Sequence, residues 1–269
     1  MAAGILQGAA SARETVTWMT VDLPPAEIYE GDLAGKGFGD QQLTILSAAL
    51  SDYDHQVVRG TIARAWHELE TRDGVCFNWV TRNADRHKSA IYSRRPVLNP
   101  SFRLMVKTNR AADFASYLSG AGEIDLDRLA ESKSLSGGYI ASRDYLPAVN
   151  AFLNDDRRAG KLRKTMTTAQ LVGLLRADRV DFVLSGPFEV AFYKETQHLP
   201  EDFTQYRIKG NPPYNEGYIA CSAGPVGREV MAKLDAYLDR PEGWTAYVAP
   251  LQRWLDPAEY AFAQAGKQH

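Results

Sequence analysis

Apolar positions recur along the chain in two alternating patterns. Short β-branched and aromatic runs, typical of strands, alternate with stretches whose apolar residues repeat every three or four positions, typical of helices. The first third of the chain predicts a strand at 15–21, a helix from Asp40, a strand at Val57 and Val58, a helix at 62–69 and a strand at 75–80. This βαβαβ order predicts a parallel sheet covered by helices.

The rest of the chain predicts a second, smaller α/β unit and a set of closing elements. The second unit has a helix that begins at Ser142, another at 168–177, and strands at 102–106, 139–141 and 180–184. A strand at 218–221 and helices at 226–238 and 244–255 follow, and they need the first unit to pack on. We therefore expect the chain to cross between two lobes twice, near Thr108 and near Asn211.

The expected fold class is α/β in two lobes, each a mixed, mainly parallel sheet flanked by helices. A length of 269 residues allows two lobes. Lobe 1 takes residues 13–107 plus 213–269, and lobe 2 takes residues 108–212. Residues 2–12 are small, uncharged and end in Ala10-Ser11-Ala12, a pattern typical of signal-peptide cleavage. We interpret 1–12 as the remnant of a secretory signal peptide, with a disordered alanine-rich leader as the alternative.

Composition narrows the classes of function. A net charge of -2 argues against non-specific nucleic-acid binding, which needs a concentrated basic surface. No apolar run approaches the roughly 18 residues that span a bilayer. Cys76 and Cys221 both lie in apolar, strand-like runs. Export would allow them to pair, whereas buried free thiols are also common, and the sequence leaves both possibilities open.

The chain lacks the usual catalytic and metal-binding motifs. No H-E-x-x-H, C-x-x-C or G-x-S-x-G is present. No two histidines have the spacing of a metal-ligand pair on a helix. The run Gly35–Gly39 lacks the G-K-[ST] ending of a phosphate loop, which favours a plain turn. We therefore expect a binding protein with no cofactor and no metal, and not an enzyme.

Candidate ligand-binding residues follow the third predicted strand. Thr81 offers a hydroxyl, and Arg86 offers a guanidinium that can bind a carboxylate through two parallel hydrogen bonds. Trp79 can supply an apolar wall. Because open α/β sheets hold ligands at the carboxyl ends of their strands, these residues are placed where a ligand is expected. A solvated loop arginine is the alternative for Arg86.

The second unit supplies another candidate. Ser142 and Arg143 lie at the predicted start of a helix, where free backbone N–H groups attract anions. Ser142 serves equally well as an N-cap alone. Tyr29 and Asp22 flank the end of the first strand and are weaker candidates, because a tyrosine at such a position commonly only packs.

The stretch 81–93, T-R-N-A-D-R-H-K-S-A-I-Y-S, resembles the T-x-x-x-x-R…F-S signature of family 3 extracellular solute-binding proteins. These are the polar amino-acid receptors of ABC transporters, and the details are most similar to an uncharacterised proteobacterial branch. The resemblance implies that Arg86 binds the α-carboxylate of a ligand and that Thr81 is its hydroxyl partner. It covers nearly all of the chain after residue 12 and implies a type II periplasmic-binding-protein fold with two hinge crossings. The other motifs that carry it, in chain order, are 104–107, 179–182, 218–220, and 254–255.

One departure from that family bears on the ligand. The family places an acidic residue, which binds the ligand's ammonium, five positions after the aspartate that matches Asp181. This chain has Gly186 there. A buried ammonium without a carboxylate partner is costly. Arg94-Arg95-Pro96 also replaces an acidic and aromatic stretch. We therefore expect an anionic or neutral polar ligand, with Gly186 lining its site.

The resemblance implies a monomeric periplasmic protein that closes around its ligand and is recognised by a transporter permease or a sensor protein. The alternative is an enzyme on the same scaffold, similar to cyclohexadienyl dehydratases. Such an enzyme needs a general acid, for which Glu27 and Glu189 are the candidates.

Overall fold

The computed structural model describes residues 13–82, 90–141, 143, 145–198 and 202–266. The chain divides into two compact units. Unit 1 comprises Met1–Val97, Gly217–Pro250 and Gly266–His269, and unit 2 comprises Leu98–Glu216 and Leu251–Ala265.

The described elements alternate between strands and helices. The strands are β1 Thr15–Val21, β2 Asp54–Gly60, β3 Val75–Val80, β4 Ala90–Tyr92, β5 Val97–Pro100, β6 Arg103–Lys107, β7 Gly137–Ile140, β8 Leu162–Thr165, β9 Phe182–Ser185, β10 Phe203–Tyr206 and β11 Tyr214–Ser222. The helices are α1 Phe38–Ala49, α2 Ile62–Thr71, α3 Leu126–Ala130, α4 Pro147–Leu153, α5 Thr168–Arg176, α6 Pro187–Thr196, α7 Pro225–Leu238, α8 Pro241–Val248 and α9 Pro257–Ala265. Across these residues, no helix has the length and apolar character needed to cross a bilayer.

The division between the units differs from the sequence-based ranges. The first predicted crossing lies near Thr108, after β6, whereas the division falls after Val97, within β5. Residues 251–265, which the sequence assigns to lobe 1, pack with unit 2. β5 and β11 pair with each other, and each contains a point where the chain passes between units.

The sheet of unit 1 places β1 between two parallel neighbours. The described strands follow the order β2-β1-β3-β11-β4. β1 is parallel to β2 and β3, whereas β11 is antiparallel to β3 and β4. Residues from Val16 to Val21 are all buried, which explains why β1 is a nearly continuous apolar run. Helix α2 packs on this sheet, and Thr61 caps it by accepting a hydrogen bond from the Arg64 N–H.

Cys76 and Cys221 form a disulfide between β3 and β11. The two residues face each other in the antiparallel register, with their Cα atoms 4.1 Å apart. Both are fully buried. Of the two possibilities that the sequence leaves open, pairing is therefore correct. The bond joins residues 145 positions apart and holds β11 beside β3.

Unit 2 contains a second mixed sheet, whose described strands follow the order β10-β6-β9-β7-β8. β7 is parallel to β8 and β9, and β6 is antiparallel to β9 and β10. Phe114, Phe152 and Phe182 pack in its core, and the rings of Phe114 and Phe182 meet edge to face with centroids 6.1 Å apart. The two-unit α/β class expected from the sequence is confirmed.

A buried arginine completes the end of α3. Arg158 is 1% exposed, and its guanidinium donates hydrogen bonds to the carbonyl oxygens of Leu129, Ser132 and Leu135. Carbonyl groups at the end of a helix have no partner within the helix. The guanidinium also lies 5.4 Å from the ring centroid of Phe152. Arg158 thus adds a donor to the carbonyl oxygens of Leu129 and Ser132, which also accept from the Ser132 N–H and from Lys161, and it supplies a donor to Leu135.

Residues 251–265 attach to the rest of unit 2 through side chains that lie within α9 and just before it. Arg253 pairs with Glu195 at 2.7 Å, and Glu259 pairs with Arg103 of β6. Two ring contacts complete the attachment: Trp254 against Phe192 at 5.6 Å between centroids, and Phe262 stacked on Tyr214 at 4.1 Å.

Two helix predictions are wrong at their ends because of proline. The helix predicted from Ser142 begins at Pro147, since the residue before a proline disfavours helical backbone and Pro147 takes the first helical position. Its start therefore lies beyond Arg143. The single helix predicted over 244–255 ends early: α8 stops at Val248 and a 3₁₀ helix that contains Pro250 follows it, over Ala249–Arg253. Helix α9 begins only after this range, with Pro257 at its first position.

The disulfide should contribute strongly to stability. We expect the double variant Cys76→Ala/Cys221→Ala to lose about 2–5 kcal/mol of unfolding free energy in urea titrations, because the open chain gains freedom when unfolded. The matched control is the parent protein after reduction, which loses the bond and keeps both side chains. Equal stability of the oxidised and reduced parent would contradict this prediction.

Candidate ligand-binding site

The predicted ligand-binding residues are divided between the two units. Arg86 and Ser142 lie outside the described residues. Unit 1 contains Tyr29, Trp79 and Thr81, and unit 2 contains Arg143 and Gly186.

Trp79 occupies a strained position at the end of β3. Its φ angle of 61° lies in the left-handed region, which is uncommon for a residue other than glycine. The pairing of β3 with β11 shifts register here, between Tyr218 and Ala220, as in a β-bulge. Such strain persists only where the surroundings hold it. Val80 still pairs with Tyr218, and the exposed Thr81 then leaves the sheet directly after the bulge.

A buried polar network holds Trp79 in place. Its indole N–H donates to Oε1 of Gln42 at 2.5 Å, and its backbone N–H donates to Oδ1 of Asn78 at 2.9 Å. Gln42 donates to the carbonyl oxygen of Tyr247, whose hydroxyl donates to Oδ1 of Asn78, each at 2.8 Å. Burial raises the pKa of Tyr247. The network connects β3, α1 and α8 and makes the end of β3 a fixed platform.

Part of the Trp79 side chain is engaged in packing and hydrogen bonding within unit 1. Its ring meets Phe38 at 4.7 Å between centroids, and the residue is half-buried. Its indole N–H is already committed to Gln42. Only the remaining exposed part of the ring is available as an apolar wall. The sequence could not indicate Gln42 or Tyr247, because neither belongs to a motif.

Tyr29 lies near the ends of β1 and β2. Its hydroxyl forms a hydrogen bond of 2.8 Å with Oγ1 of Thr20, and its backbone N–H donates to Asp22. The guanidinium carbon of Arg59 lies 4.5 Å from its ring centroid, within cation–π range. Burial raises the pKa of Tyr29, so the phenol stays neutral at physiological pH.

In unit 2, Arg143 forms a buried ion pair with Glu189. Two guanidinium nitrogens donate to the two carboxylate oxygens at 2.9 and 2.5 Å. Glu189 also accepts from the Ser185 hydroxyl at 2.5 Å and from the Gly186 N–H at 2.8 Å. Burial opposes the charge on Arg143, but Glu189 and Tyr145 together offset it and the pKa of Arg143 rises.

Gly186 enters this cluster through its backbone. It is the N-cap of α6, and Glu189 reaches back to its N–H in a capping box. The G-x-x-E spacing is the sequence signal that could have found Glu189 as a structural residue. The carboxylate in this region thus comes from Glu189 and is already bound to Arg143, Ser185 and Gly186.

Glu27 is the other acid singled out in the sequence. It is 3% exposed and lies against the first turn of α1. Burial and the nearby carboxylate of Asp40 raise its pKa to about 8, although a backbone hydrogen bond from Val21 acts in the opposite direction. The Glu27 side chain is therefore mostly protonated at neutral pH and closed off from solvent.

Comparison with known proteins identifies the fold. No family model and no curated sequence matches the chain. Among solved structures it is similar to the ancestral amino acid-binding protein AncCDT-1, a precursor of cyclohexadienyl dehydratase, with a TM-score of 0.65 and 15% identity over 90% of this chain and 95% of that one.

A histidine kinase sensor domain similar to periplasmic binding proteins also gives a TM-score of 0.65 at 15% identity, over 91% of this chain and 96% of that one. A histidine-bound ABC uptake transporter substrate-binding protein from Streptococcus pneumoniae gives 0.64 at 13%, over 90% and 92%. The expected structural likeness to amino-acid-binding proteins of ABC transporters is confirmed. The chain has the type II periplasmic-binding-protein fold, which transporter receptors and sensor domains share.

Proposed function

We propose that this chain is an exported solute-binding protein that closes around a small polar or anionic ligand and is recognised by a membrane transporter or sensor protein. The observation that carries the proposal is the match of the whole two-unit fold to such receptors and sensor domains. The Cys76–Cys221 disulfide supports an oxidising compartment such as the periplasm.

The Arg143–Glu189 pair supports a ligand without an ammonium group. Oε2 of Glu189 accepts three hydrogen bonds, and Oε1 accepts one from Arg143. A buried ammonium would need its own carboxylate, since an unpaired buried charge is costly. The available carboxylate is neutralised from within unit 2. A small carboxylic acid or a neutral polar solute therefore fits better than a zwitterionic amino acid.

The two acids considered for an enzyme favour binding over catalysis. A general acid must come within hydrogen-bond reach of its substrate. Glu189 is 2% exposed and bound to Arg143, and Glu27 is 3% exposed. Neither carboxyl group presents a proton to solvent. We therefore favour a receptor over a dehydratase on this scaffold.

Calorimetric titration tests the ligand class and the role of Arg86. We expect a small carboxylate from a panel of organic acids to bind, and Arg86→Ala to weaken it about 100-fold, because a desolvated charge pair is lost. Arg82→Ala is the matched control: its guanidinium lies over Tyr92, and affinity should stay within about twofold. Tight binding of a zwitterionic amino acid, or unchanged binding by Arg86→Ala, would refute the proposal.

A double-mutant cycle tests whether Arg143 and Glu189 act as an ion pair. Arg143→Met or Glu189→Gln alone should cost about 3–5 kcal/mol of unfolding free energy, since each leaves a buried group without its partner. The double variant should cost clearly less than the sum. The partly exposed pair Arg64–Glu68 provides the control cycle and should show little coupling. If the losses of unfolding free energy in the two single variants simply added up in the double variant, Arg143 and Glu189 would not be acting as an ion pair.

The raised pKa of Glu27 predicts a specific pH dependence of stability. The folded-state pKa of about 8 lies above the unfolded value near 4.5, so the contribution is complete below pH 4.5 and is lost as pH rises to 8. Urea titrations from pH 5 to 9 should show this decline in the parent and not in Glu27→Gln. Glu68→Gln, at a half-buried glutamate that is ion-paired with Arg72, should keep the parental profile. A Glu27→Gln variant with the same profile as the parent would show that Glu27 does not titrate in this range.

A further inference from the structure

A pocket of about 380 Å³ lies on unit 1, between helix α1 and strand β2. Its lining comes from the end of β1, from Tyr29, from one face of α1 and from β2. Trp79 and Thr81 do not line it, and in the sheet β1 separates β2 from β3. The pocket is therefore distinct from the described candidates Trp79 and Thr81. Its volume is within the usual range for small-molecule sites.

The pocket contains a positioned cation. The Arg59 guanidinium lies over the Tyr29 ring, and the Thr20 hydroxyl fixes that ring through its hydrogen bond to the phenol. Within the described ranges, no carboxylate forms an ion pair with Arg59. Stacking on an aromatic ring restrains a guanidinium and leaves its edge N–H groups available to an anion.

The acidic residue of the pocket is committed elsewhere. Oδ2 of Asp40 accepts the backbone N–H groups of Ile28 at 3.1 Å and Gly37 at 3.0 Å, and so holds the turn that begins α1. Asp40 is close enough to Arg59 to feel its charge, but its Oδ2 is engaged by the backbone. Arg59 thus remains the group in the pocket best placed to bind an external anion.

The pocket also contains aliphatic side chains, one of them next to Arg59 on the same face of β2. Leu43 on α1 and Val57 on β2 contribute aliphatic surface, and Val57 is 54% exposed. Ser47 contributes a hydroxyl between them. Exposed large aliphatic side chains next to a cation suit a molecule with an anionic head and a compact apolar body.

From this arrangement we infer that the α1–β2 pocket is a second ligand site, which binds a small amphipathic anion. Arg59 binds a carboxylate or phosphate head, Leu43 and Val57 contact the apolar body, and Tyr29 positions Arg59. The inference does not depend on the ligand proposed for Arg86, because it rests on Arg59, Leu43 and Val57. Tyr29, a weaker candidate in the sequence, is here assigned to this pocket.

Fluorine NMR with 4-fluorobenzoate tests the inference. Binding should broaden the probe signal in the parent protein, whereas the neutral isostere 4-fluorobenzamide should bind at least tenfold more weakly. Arg59→Met should weaken 4-fluorobenzoate binding at least tenfold, and Tyr29→Leu should weaken it less. Arg64→Met, at an exposed arginine of α2 paired with Glu68, is the matched control and should bind like the parent.

Three further measurements complete the test. Competition by acetate or by inorganic phosphate distinguishes a carboxylate head from a phosphate head. Ser47→Trp should block the pocket without removing the cation. Binding to the Arg86→Ala variant should be unchanged, which separates this site from the proposed receptor site. Equal binding of benzamide and benzoate, no effect of Arg59→Met, or loss of binding in Arg86→Ala would each overturn the inference.

Discussion

The pairing of β11 with β3 is the constraint on which unit 1 depends. β11 follows the whole first part of unit 2 in the chain, yet it has to lie beside β3 to complete the sheet. Cys76–Cys221 fixes this pairing covalently, and Ser222 adds a hydrogen bond to Asp73. The register shift in the same strand pair accommodates the left-handed backbone of Trp79. The closure of the sheet and the shape of the end of β3 therefore have one origin.

The parts of the fold predicted from sequence are those in which one local signal is strong. β1 and β3 are apolar runs bounded by turn residues, and their ranges are confirmed. Local signals failed where proline set the boundary, as at Pro147. The ion pair of Arg143 could not be predicted, because Glu189 lies 46 positions further along the chain and only folding brings the two together. The sequence thus indicated Arg143 as a candidate cation, but it did not indicate that the carboxylate of Glu189 neutralises its charge.

Some of the described polar side chains bind one another, whereas Arg59 has no polar side-chain partner among the described contacts. In unit 2 Arg143 and Glu189 neutralise each other, and in unit 1 the amides of Gln42 and Asn78 hold Trp79. Satisfied networks of this kind fix geometry and add no net charge. Arg59 differs, since its contact is with the face of an aromatic ring. Selectivity for an anion therefore depends on which cations the fold leaves uncompensated, and the number of arginines does not decide it.

The attachment of residues 251–265 to unit 2 has a practical consequence for shortened forms of the protein. A truncation after Pro250 would appear to trim only the tail of unit 1. It would instead strip Arg103 of its carboxylate partner Glu259 and remove the stacking partner of Tyr214. C-terminal proteolysis, or a tag fused within this segment, would therefore destabilise unit 2, although the rest of that unit ends at Glu216.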